Sequence, residues 1–364
     1  MKKKPMLIKY VILGFLALSM ISLAACTATP EEPTPAAPVT LRYSSNFAPT
    51  TPQGARSQWL MDEVTKRTGG QIKFEAYWSS TLANPKGQLE AVQGGAADII
   101  DSSAVYWVGK FPVADLCLLF PFGPSDPELV IKARRQVFDN FPALADTYAQ
   151  NNMKLLAETM FTNYSFLGKE PINGLQDLKG KKVALIGKYF GMWMEPVGLV
   201  PVVMPSSQRY EALQNNLVDI DLLNVSAEYT YKLYEHAKYG VNNLPFMCNA
   251  TDGVFINLDR FNSFSPKIQQ ILMDVGRESE SFLAKSTIAK DAEYIESMKQ
   301  SGVTYTDFPE KDLAEWVSMI EDVPAIAAAE KEQQLPEIWD IVENYQYITG
   351  KLGFKWLRTW GVKP

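Results

Sequence analysis

The feature that most constrains the fold is a regular alternation of short apolar segments with longer amphipathic ones. Val39–Ser45 alternates as a strand does, and Ala55–Thr68 carries apolar residues at helical spacing before the pair Gly69-Gly70. Glycine directly after the last periodic residue is a common helix end. Ile72–Trp78 is then predicted as a second strand. Strands that alternate with helices of this length predict parallel βαβ units.

The same alternation continues in two groups along the chain. The first group contains a helix at Pro85–Gln93 and a strand at Ala97–Ser102. The second contains predicted strands at Lys154–Thr159, Lys182–Ile186, Val202–Met204 and Val218–Leu223, with helices at Asp177–Gly180, Met192–Gly198 and Ser207–Asn215 between them. The chain is therefore predicted to form two α/β units.

The last third of the chain is predicted to be mainly helical. Thr251–Leu258 is predicted as a strand that crosses back to the first unit, and Ser265–Gln300 as one or two long helices. Val303–Phe308 is predicted as a further strand, and the chain from Asp312 to near Gly350 as helix. The single histidine, His236, falls in Tyr229–Tyr239, which we predict to be an aromatic-rich helix in which the histidine is packed or at the surface.

The N-terminus has the layout of a bacterial lipoprotein signal. Four lysines precede an apolar run from Tyr10 to Ala25, and in Leu23-Ala24-Ala25-Cys26 two small alanines stand directly before the cysteine. A charged start, a short apolar middle and small residues at the cut are typical of a secretory signal. The run is shorter than the roughly 20 apolar residues of a spanning helix. We expect residues 1–25 to be removed and Cys26 to carry lipid.

Composition excludes several classes of function. The chain has 364 residues with a formal charge of −6, and the predicted signal contributes four lysines and no acid. An acidic chain argues against nucleic acid or anionic lipid as a partner. The hydrophobic content of 46% is enough for a large core.

Few residues are available for catalysis or metal binding. Beyond Cys26 only Cys117 and Cys248 remain, either as one bridge or as two buried thiols, and we favour the thiols. One histidine excludes most metal sites and Ser-His-Asp chemistry. A hydrolase using Asp98 and Asp101 is a minor alternative, since that spacing also occurs at ordinary strand ends. We expect no enzyme activity, no metal and no cofactor.

Two α/β units joined by crossing segments predict two lobes with a hinge between them and a ligand in the cleft, at loops beyond the strand ends. The predicted organisation ends in C-terminal helices that pack on the lobes. Its parts are the signal (1–25), a Pro-rich tether (26–38), lobe I (39–160 and 251–290), lobe II (161–250 and 291–310) and the C-terminal helices (311–364).

Several segments, in one order over roughly residues 40–305, resemble the solute receptors of TRAP (tripartite ATP-independent periplasmic) transporters, the C4-dicarboxylate-binding type. They are Asn46–Pro49, Pro52–Gly54, Glu63–Ile72, Leu89–Ile99, Asp177–Gly180, Met204-Pro205, Tyr210–Gln214, Val218-Asp219, Lys232–Glu235 and Lys238-Tyr239. The resemblance implies an α/β, two-lobe periplasmic-binding-protein fold of type II-like form with a long helix across both lobes. It also implies delivery of a solute to an ion-driven membrane permease.

The chain departs from the family pattern where the solute would be held. The family arginine four residues after the glycine of Leu178-Lys179-Gly180, which pairs with a substrate carboxylate, corresponds to Ala184. A second family arginine corresponds to Asn163 or Tyr164. The family asparagine falls at Leu223 with Asn224 adjacent, and the acidic residue of that motif is Leu222.

Two interpretations follow. In one, Lys188 pairs with a solute carboxylate; in the other, which we favour, the solute is neutral, amphipathic or aromatic and is not a simple dicarboxylate. Aromatic faces stack on flat solutes, and polar groups orient them. The candidate ligand-binding residues are Asn46, Phe47, Trp78, Ser103, Tyr106, Trp107, Tyr164, Lys188, Trp193 and Asn224. Tyr189 and Phe190 add to the aromatic content of the same segments.

We expect a receptor in the periplasm or on the outer face of the cell envelope, attached to the membrane only through Cys26. Its partners are a small organic solute and the permease subunits of a TRAP transporter. A receptor of the same fold that serves a sensor kinase is an alternative. An ABC-importer lipoprotein is another, which the segments above argue against.

Overall fold

Two mixed β-sheets organise the residues that the computed structural model describes, which are 37–107, 110–112, 116–247 and 252–363. The first sheet has the strand order β2-β1-β3-β10-β4 and the second β11-β9-β5-β8-β6-β7. The strands are β1 Val39–Ser45, β2 Ile72–Tyr77, β3 Ile99–Ser103, β4 Met153–Thr159, β5 Tyr164–Gly168, β6 Lys182–Leu185, β7 Val200–Val203, β8 Ile220–Asn224, β9 Tyr239–Val241, β10 Asp252–Asn257 and β11 Thr304–Thr306. Residues 1–25 and Cys26 lie outside the described residues.

The first sheet is parallel except for one strand. β1 pairs in parallel with β2 and β3, while β10 runs antiparallel between β3 and β4. The predicted crossing strand Thr251–Leu258 is thus confirmed as β10. Because β4 runs in the same direction as β3, the carboxyl ends of β1, β3 and β4 lie at one edge of the sheet.

The second sheet follows the same principle, with β6 parallel to β7 and β8. β5 is antiparallel to β8 and to β9, and its five residues are all buried. The alternation pattern did not predict β5, because a strand that is buried throughout shows no period of two. The amino end of β5 lies at the edge where β6, β7 and β8 end.

Helices cover the faces of both sheets. They are α1 Pro52–Arg67, α2 Gln88–Gln93, α3 Pro127–Asn140, α4 Pro142–Ala149, α5 Gly187–Met194, α6 Arg209–Gln214, α7 Val225–Thr230, α8 Leu258–Asn262, α9 Pro266–Gln300, α10 Glu310–Met319, α11 Val323–Lys331 and α12 Ile338–Lys351. Among the described residues no helix is long and apolar enough to cross a membrane.

The segment Ser265–Gln300 forms one long helix, α9. Ser265 caps its start through the backbone N–H of Ile268, Pro266 occupies the first turn, and Gly302 follows its end at a φ of +89°. At 1.5 Å per residue its 35 residues span roughly 50 Å. It packs on α1, α3 and β4 of the first sheet and on α7 beside the second. The predicted two-sheet fold with a long helix across both is confirmed.

The prediction of a helix over Tyr229–Tyr239 is wrong. α7 stops at Thr230, Lys232 has a left-handed φ of 55°, and Tyr239–Val241 is strand β9. A left-handed residue cannot continue a right-handed helix. His236 lies between the two elements and its ring packs on Tyr210 at 4.6 Å.

The helical prediction for the C-terminal region is correct in type but not in continuity, since α10, α11 and α12 are separate helices. Trp316 of α10 is fully buried, and its indole N–H donates to the backbone oxygen of Trp193 at 2.7 Å. Cys117 is a free, buried thiol 3.7 Å from the hydroxyl of Tyr345, as the packed-thiol alternative predicts. Cys248 lies outside the described residues.

Candidate functional site

The candidate site lies where the two sheets connect. Residues 160–163 link β4 directly to β5, so the carboxyl edge of the first sheet meets the edge where β6, β7 and β8 end. We call these two edges and the linker the junction. Ligands of open α/β sheets bind outside the carboxyl ends of the strands. The topology therefore places a candidate site at the junction.

Asn46 and Phe47 follow β1 on the first-sheet side of the junction. The Asn46 amide donates to the hydroxyl of Ser102 at 2.8 Å, and its oxygen accepts from the Gln88 amide at 3.0 Å. The Phe47 ring lies 5.9 Å from the ring of Phe161 in the linker. A fixed amide and an aromatic pair thus sit at the end of β1.

The other candidates on this side divide between the surface and the core. Ser103 is buried at the end of β3, and Tyr106, in the 3-10 turn that follows, is 47% exposed. Trp107 is buried against Phe255 in the core of the first sheet. Trp78 is half-buried beside Tyr43.

On the second-sheet side, Tyr164 and Asn224 are paired across β5 and β8. The Tyr164 ring packs 5.4 Å from Phe190, and the Asn224 side chain accepts from the backbone N–H of Ala227 at 3.0 Å, which caps α7. Trp193 is fully buried, with its ring 4.6 Å from Phe190. Of these, Tyr164 and Asn224 lie at the junction, while Trp193 lies in the core beneath it.

Lys188 lies on the surface, with its side chain 58% exposed. Its ammonium lies 2.6 Å and 2.7 Å from the two carboxylate oxygens of Glu330 in α11. The positive charge of Lys188 is therefore already matched by a carboxylate of the same chain.

The sequence analysis missed a buried ion pair beside Ala184. In the parallel pairing of β6 with β8, Ala184 is the register partner of Asp221. Arg209, the first residue of α6, donates through Nη1 to Asp221 Oδ1 and to the backbone oxygen of Leu222, both at 2.8 Å. The side chains of Arg209 and Asp221 are both fully buried. Their separation of 12 positions in the sequence gave no sign of the contact.

A second buried carboxyl group, that of Glu228, lies near this pair, and a third, that of Asp291, lies near Glu228. Glu228 of α7 accepts from the Ser165 hydroxyl at 3.1 Å, and burial together with the negative charge of Asp221 raises the pKa of Glu228 well above its ordinary value. Asp291 of α9 accepts from the Thr162 hydroxyl in the linker, and burial raises its pKa to about 6. Three carboxyl groups are therefore buried on the second-sheet side of the junction.

Two surface depressions lie at the opposite edges of the sheets. One, of about 130 Å³, is lined by residues that include Lys169, Lys181 and Asp219; the other, of about 420 Å³, is lined by residues that include Arg42 and Arg260. Neither is at the junction. Among the residues with described positions, no cluster of three or more histidine, cysteine or acidic side chains could hold a metal ion.

Two α/β sheets joined by a linker and spanned by one long helix, with polar and aromatic groups where the strand edges meet, define a solute-binding receptor. The chain belongs to the bacterial extracellular solute-binding proteins, family 7, whose family model matches residues 43–331. Receptors of this family are not enzymes; they bind small organic solutes and work with TRAP permeases.

Individual relatives agree with this assignment. The chain is 25% identical over 324 residues to the 2,3-diketo-L-gulonate-binding periplasmic protein YiaO of Escherichia coli, covering 86% of this chain and 93% of that protein.

Solved structures share the fold. A TRAP periplasmic solute-binding protein from Desulfovibrio salexigens in an open complex matches with a TM-score of 0.76 and 21% identity, covering 88% of this chain and 98% of that one. A TRAP solute-binding protein from Rhodoferax ferrireducens in complex with copurified benzoate matches with a TM-score of 0.73 and 21% identity, covering 86% and 98%. The resemblance to the TRAP receptors is confirmed.

Proposed function

We propose that this chain delivers a small organic solute with a flat, apolar body to a TRAP-type permease, and that the solute is not a simple dicarboxylate. The observation that carries the proposal is the environment of Ala184. This position is fully buried and pairs with Asp221, whose carboxylate already takes the guanidinium of Arg209. A dicarboxylate would place two negative charges beside the carboxylate of Asp221, where Arg209 is the one arginine that the described residues supply. Unpaired charges in a buried site are costly.

Aromatic groups at the junction support a flat solute. The rings of Phe47 and Phe161 lie 5.9 Å apart across the linker, and Tyr106 is 47% exposed at the end of β3. Ring faces stack on planar solutes with offset or tilted geometry. The benzoate that copurified with the Rhodoferax ferrireducens receptor indicates that this fold accommodates an aromatic body.

The alternative in which Lys188 binds a solute carboxylate has less support. Its ammonium is held by both oxygens of Glu330 and is largely exposed to solvent. A solute would have to displace an existing partner at a site where water screens the charge.

Delivery would use hinge bending at the connections between the sheets. We further propose that Cys26 is lipidated and that residues 26–38 tether the receptor to the membrane. Acyl chains contribute about 0.8 kcal/mol per buried methylene, so several chains retain a protein at the surface. Mass spectrometry of the matured N-terminus tests this part independently of ligand binding.

Thermal shift of the matured protein against a matched panel tests the solute class. The panel holds C4 dicarboxylates, benzoate-like aromatic acids and neutral aromatic amides of the same size. A ligand at 100 times its Kd should stabilise by about 2.7 kcal/mol. We expect stabilisation by flat compounds only. Stabilisation by dicarboxylates that Lys188→Ala abolishes would instead support the lysine alternative.

A further inference from the structure

The resemblance places the family arginine at position 184, which is an alanine in this chain. The buried Arg209 contacts Asp221, the register partner of Ala184. We propose that Arg209 is the anchor for a carboxylate on the solute, reached from α6 instead of from β6. This inference rests on the proposed function, and it narrows the solute to an organic acid with one carboxylate on a flat body.

The first support is that part of the Arg209 guanidinium has no hydrogen-bond partner among the described residues. Arg209 is fully buried and uses only Nη1, for Asp221 and for the backbone oxygen of Leu222. Within the part of the chain that the structure describes, Nε and Nη2 have no hydrogen-bond partner. These two N–H groups form one edge of the planar guanidinium, which is the edge that binds a carboxylate through two parallel hydrogen bonds. Buried donors of this strength are seldom left unpaired.

The second support is position. The register runs straight across the second sheet, from Ala184 to Asp221, Leu167, Gly240 and Tyr305. Register partners project on the same face of a sheet. Ala184 therefore lies beside the carboxylate that holds Arg209. The guanidinium stands next to the strand position where the resemblance places the family arginine.

The third support is the set of polar atoms above this row. Asp221 Oδ2 and the Tyr305 hydroxyl are also buried without a partner among the described residues. Gly240 has no side chain, and a Cβ there would lie 2.3 Å from the Tyr305 ring, so the ring lies over the glycine. Two donors from Arg209 and one hydroxyl from Tyr305 thus occur over one row of the sheet.

The charge balance allows one carboxylate and disfavours a second. Asp221 neutralises Arg209, and the raised pKa of Glu228 favours the uncharged acid beside them. One solute carboxylate then adds a single negative charge opposite an arginine edge. A second carboxylate would add another negative charge beside Asp221, and among the described residues no second arginine pairs with that side chain.

Access requires movement, because Arg209 is completely buried in this structure. α6 begins directly after the turn that follows β7, so Arg209 is at the junction edge of the sheet. Hinge bending at the junction, which the proposed function already requires, would uncover that edge.

The test compares benzoate with benzamide on the matured protein and on two variants. Arg209→Lys keeps the charge and removes the two-donor edge. Arg56→Lys is the control, because Arg56 of α1 is an equally buried arginine that packs on the first sheet. Titration calorimetry should show that the unaltered protein binds benzoate and that Arg209→Lys binds it with an affinity at least about tenfold lower. Arg56→Lys should keep the affinity of the unaltered protein. Denaturation curves for both variants establish that they fold.

Co-crystallisation with acetate provides a probe that does not depend on the identity of the natural solute. We expect the two acetate oxygens to accept from Nε and Nη2 of Arg209. A water or a protein group at that edge, or equal weakening by both lysine variants, would overturn the inference. Equal binding of benzoate and benzamide would also overturn it while leaving the flat-solute proposal intact. Binding of C4 dicarboxylates alone would reject that proposal too.

Discussion

Arg56 of α1 and Asp101 of β3 form an ion pair from which solvent is completely excluded. Nη2 of Arg56 lies 3.0 Å and 3.1 Å from the two carboxylate oxygens, and both side chains have no exposed surface. The hydroxyls of Ser57 and Thr159 also donate to Asp101. The ion pair and these two hydroxyls therefore connect α1 to β3 and β4 inside the first sheet.

Removing this arginine should be among the most destabilising single changes in the chain. Arg56→Met keeps the side-chain volume but leaves Asp101 buried without a counter-charge. We therefore expect the free energy of unfolding to fall by about 3–5 kcal/mol. Arg67 provides the matched control, because it pairs with Glu278 at 2.6 Å but is 32% exposed. Arg67→Met should cost about 1 kcal/mol or less. Urea denaturation measures the free energy of unfolding of both variants. Similar losses of stability would mean that burial does not determine how much each ion pair contributes.

Much of the fold follows from local sequence signals. β1 and β2 come from alternation. α1 begins at Pro52, three residues before the predicted start at Ala55, and its N-cap is Thr51, whose side chain accepts from the N–H of Gly54. α9 follows from its capping serine and from the absence of a strong breaker. β5 was not predicted, because all five of its residues are buried. The helix predicted over Tyr229–Tyr239 is wrong, because the end of this segment pairs with β5 as strand β9 in spite of its helical periodicity.

The candidate site was harder to predict than the fold. Asn46 and Asn224 do lie at the junction, because Asn46 directly follows β1 and Asn224 is the last residue of β8. Trp107 and Trp193 are in the core, and an aromatic residue has the same appearance in sequence whether it packs inside or lines a cleft. The contact between Arg209 and Asp221 depends on strand register and on the entry of α6, which no sequence period encodes.

Gly276 sets how closely α9 approaches the first sheet. A Cβ at this position would lie 2.3 Å from the backbone oxygen of Leu156 in β4. Because a backbone atom cannot turn aside, Gly276→Ala should push the helix away and cost about 1–3 kcal/mol. Gly350 in α12 is the control, since a Cβ there meets nothing within 4 Å. Gly350→Ala should be neutral or stabilise by up to about 1 kcal/mol. A neutral Gly276→Ala would show that the contact is not tight in solution.

Asp291 should make stability depend on pH in a defined window. Burial raises its pKa from 3.8 to about 6, with Thr162 donating to it and Glu228 of α7 nearby. A carboxyl whose pKa is higher in the folded state contributes stability that is present below about pH 4 and is lost as the pH rises to about 6. A difference of about two pKa units corresponds to about 3 kcal/mol. Asp291→Asn keeps the shape of the side chain and removes its titration. The free energy of unfolding of the variant, relative to that of wild type, should therefore rise by up to about 3 kcal/mol as the pH rises from about 4 to about 6.

Guanidinium denaturation of both proteins at steps from pH 3.5 to pH 7.5 measures the difference. Asp274→Asn on the same helix, at an exposed position, controls for the loss of one negative charge. The difference between Asp291→Asn and wild type should be flat below pH 4, rise towards pH 6 and then level off. A difference that stays constant across the range, or that rises in the opposite direction, would contradict a buried carboxyl at the linker between the sheets.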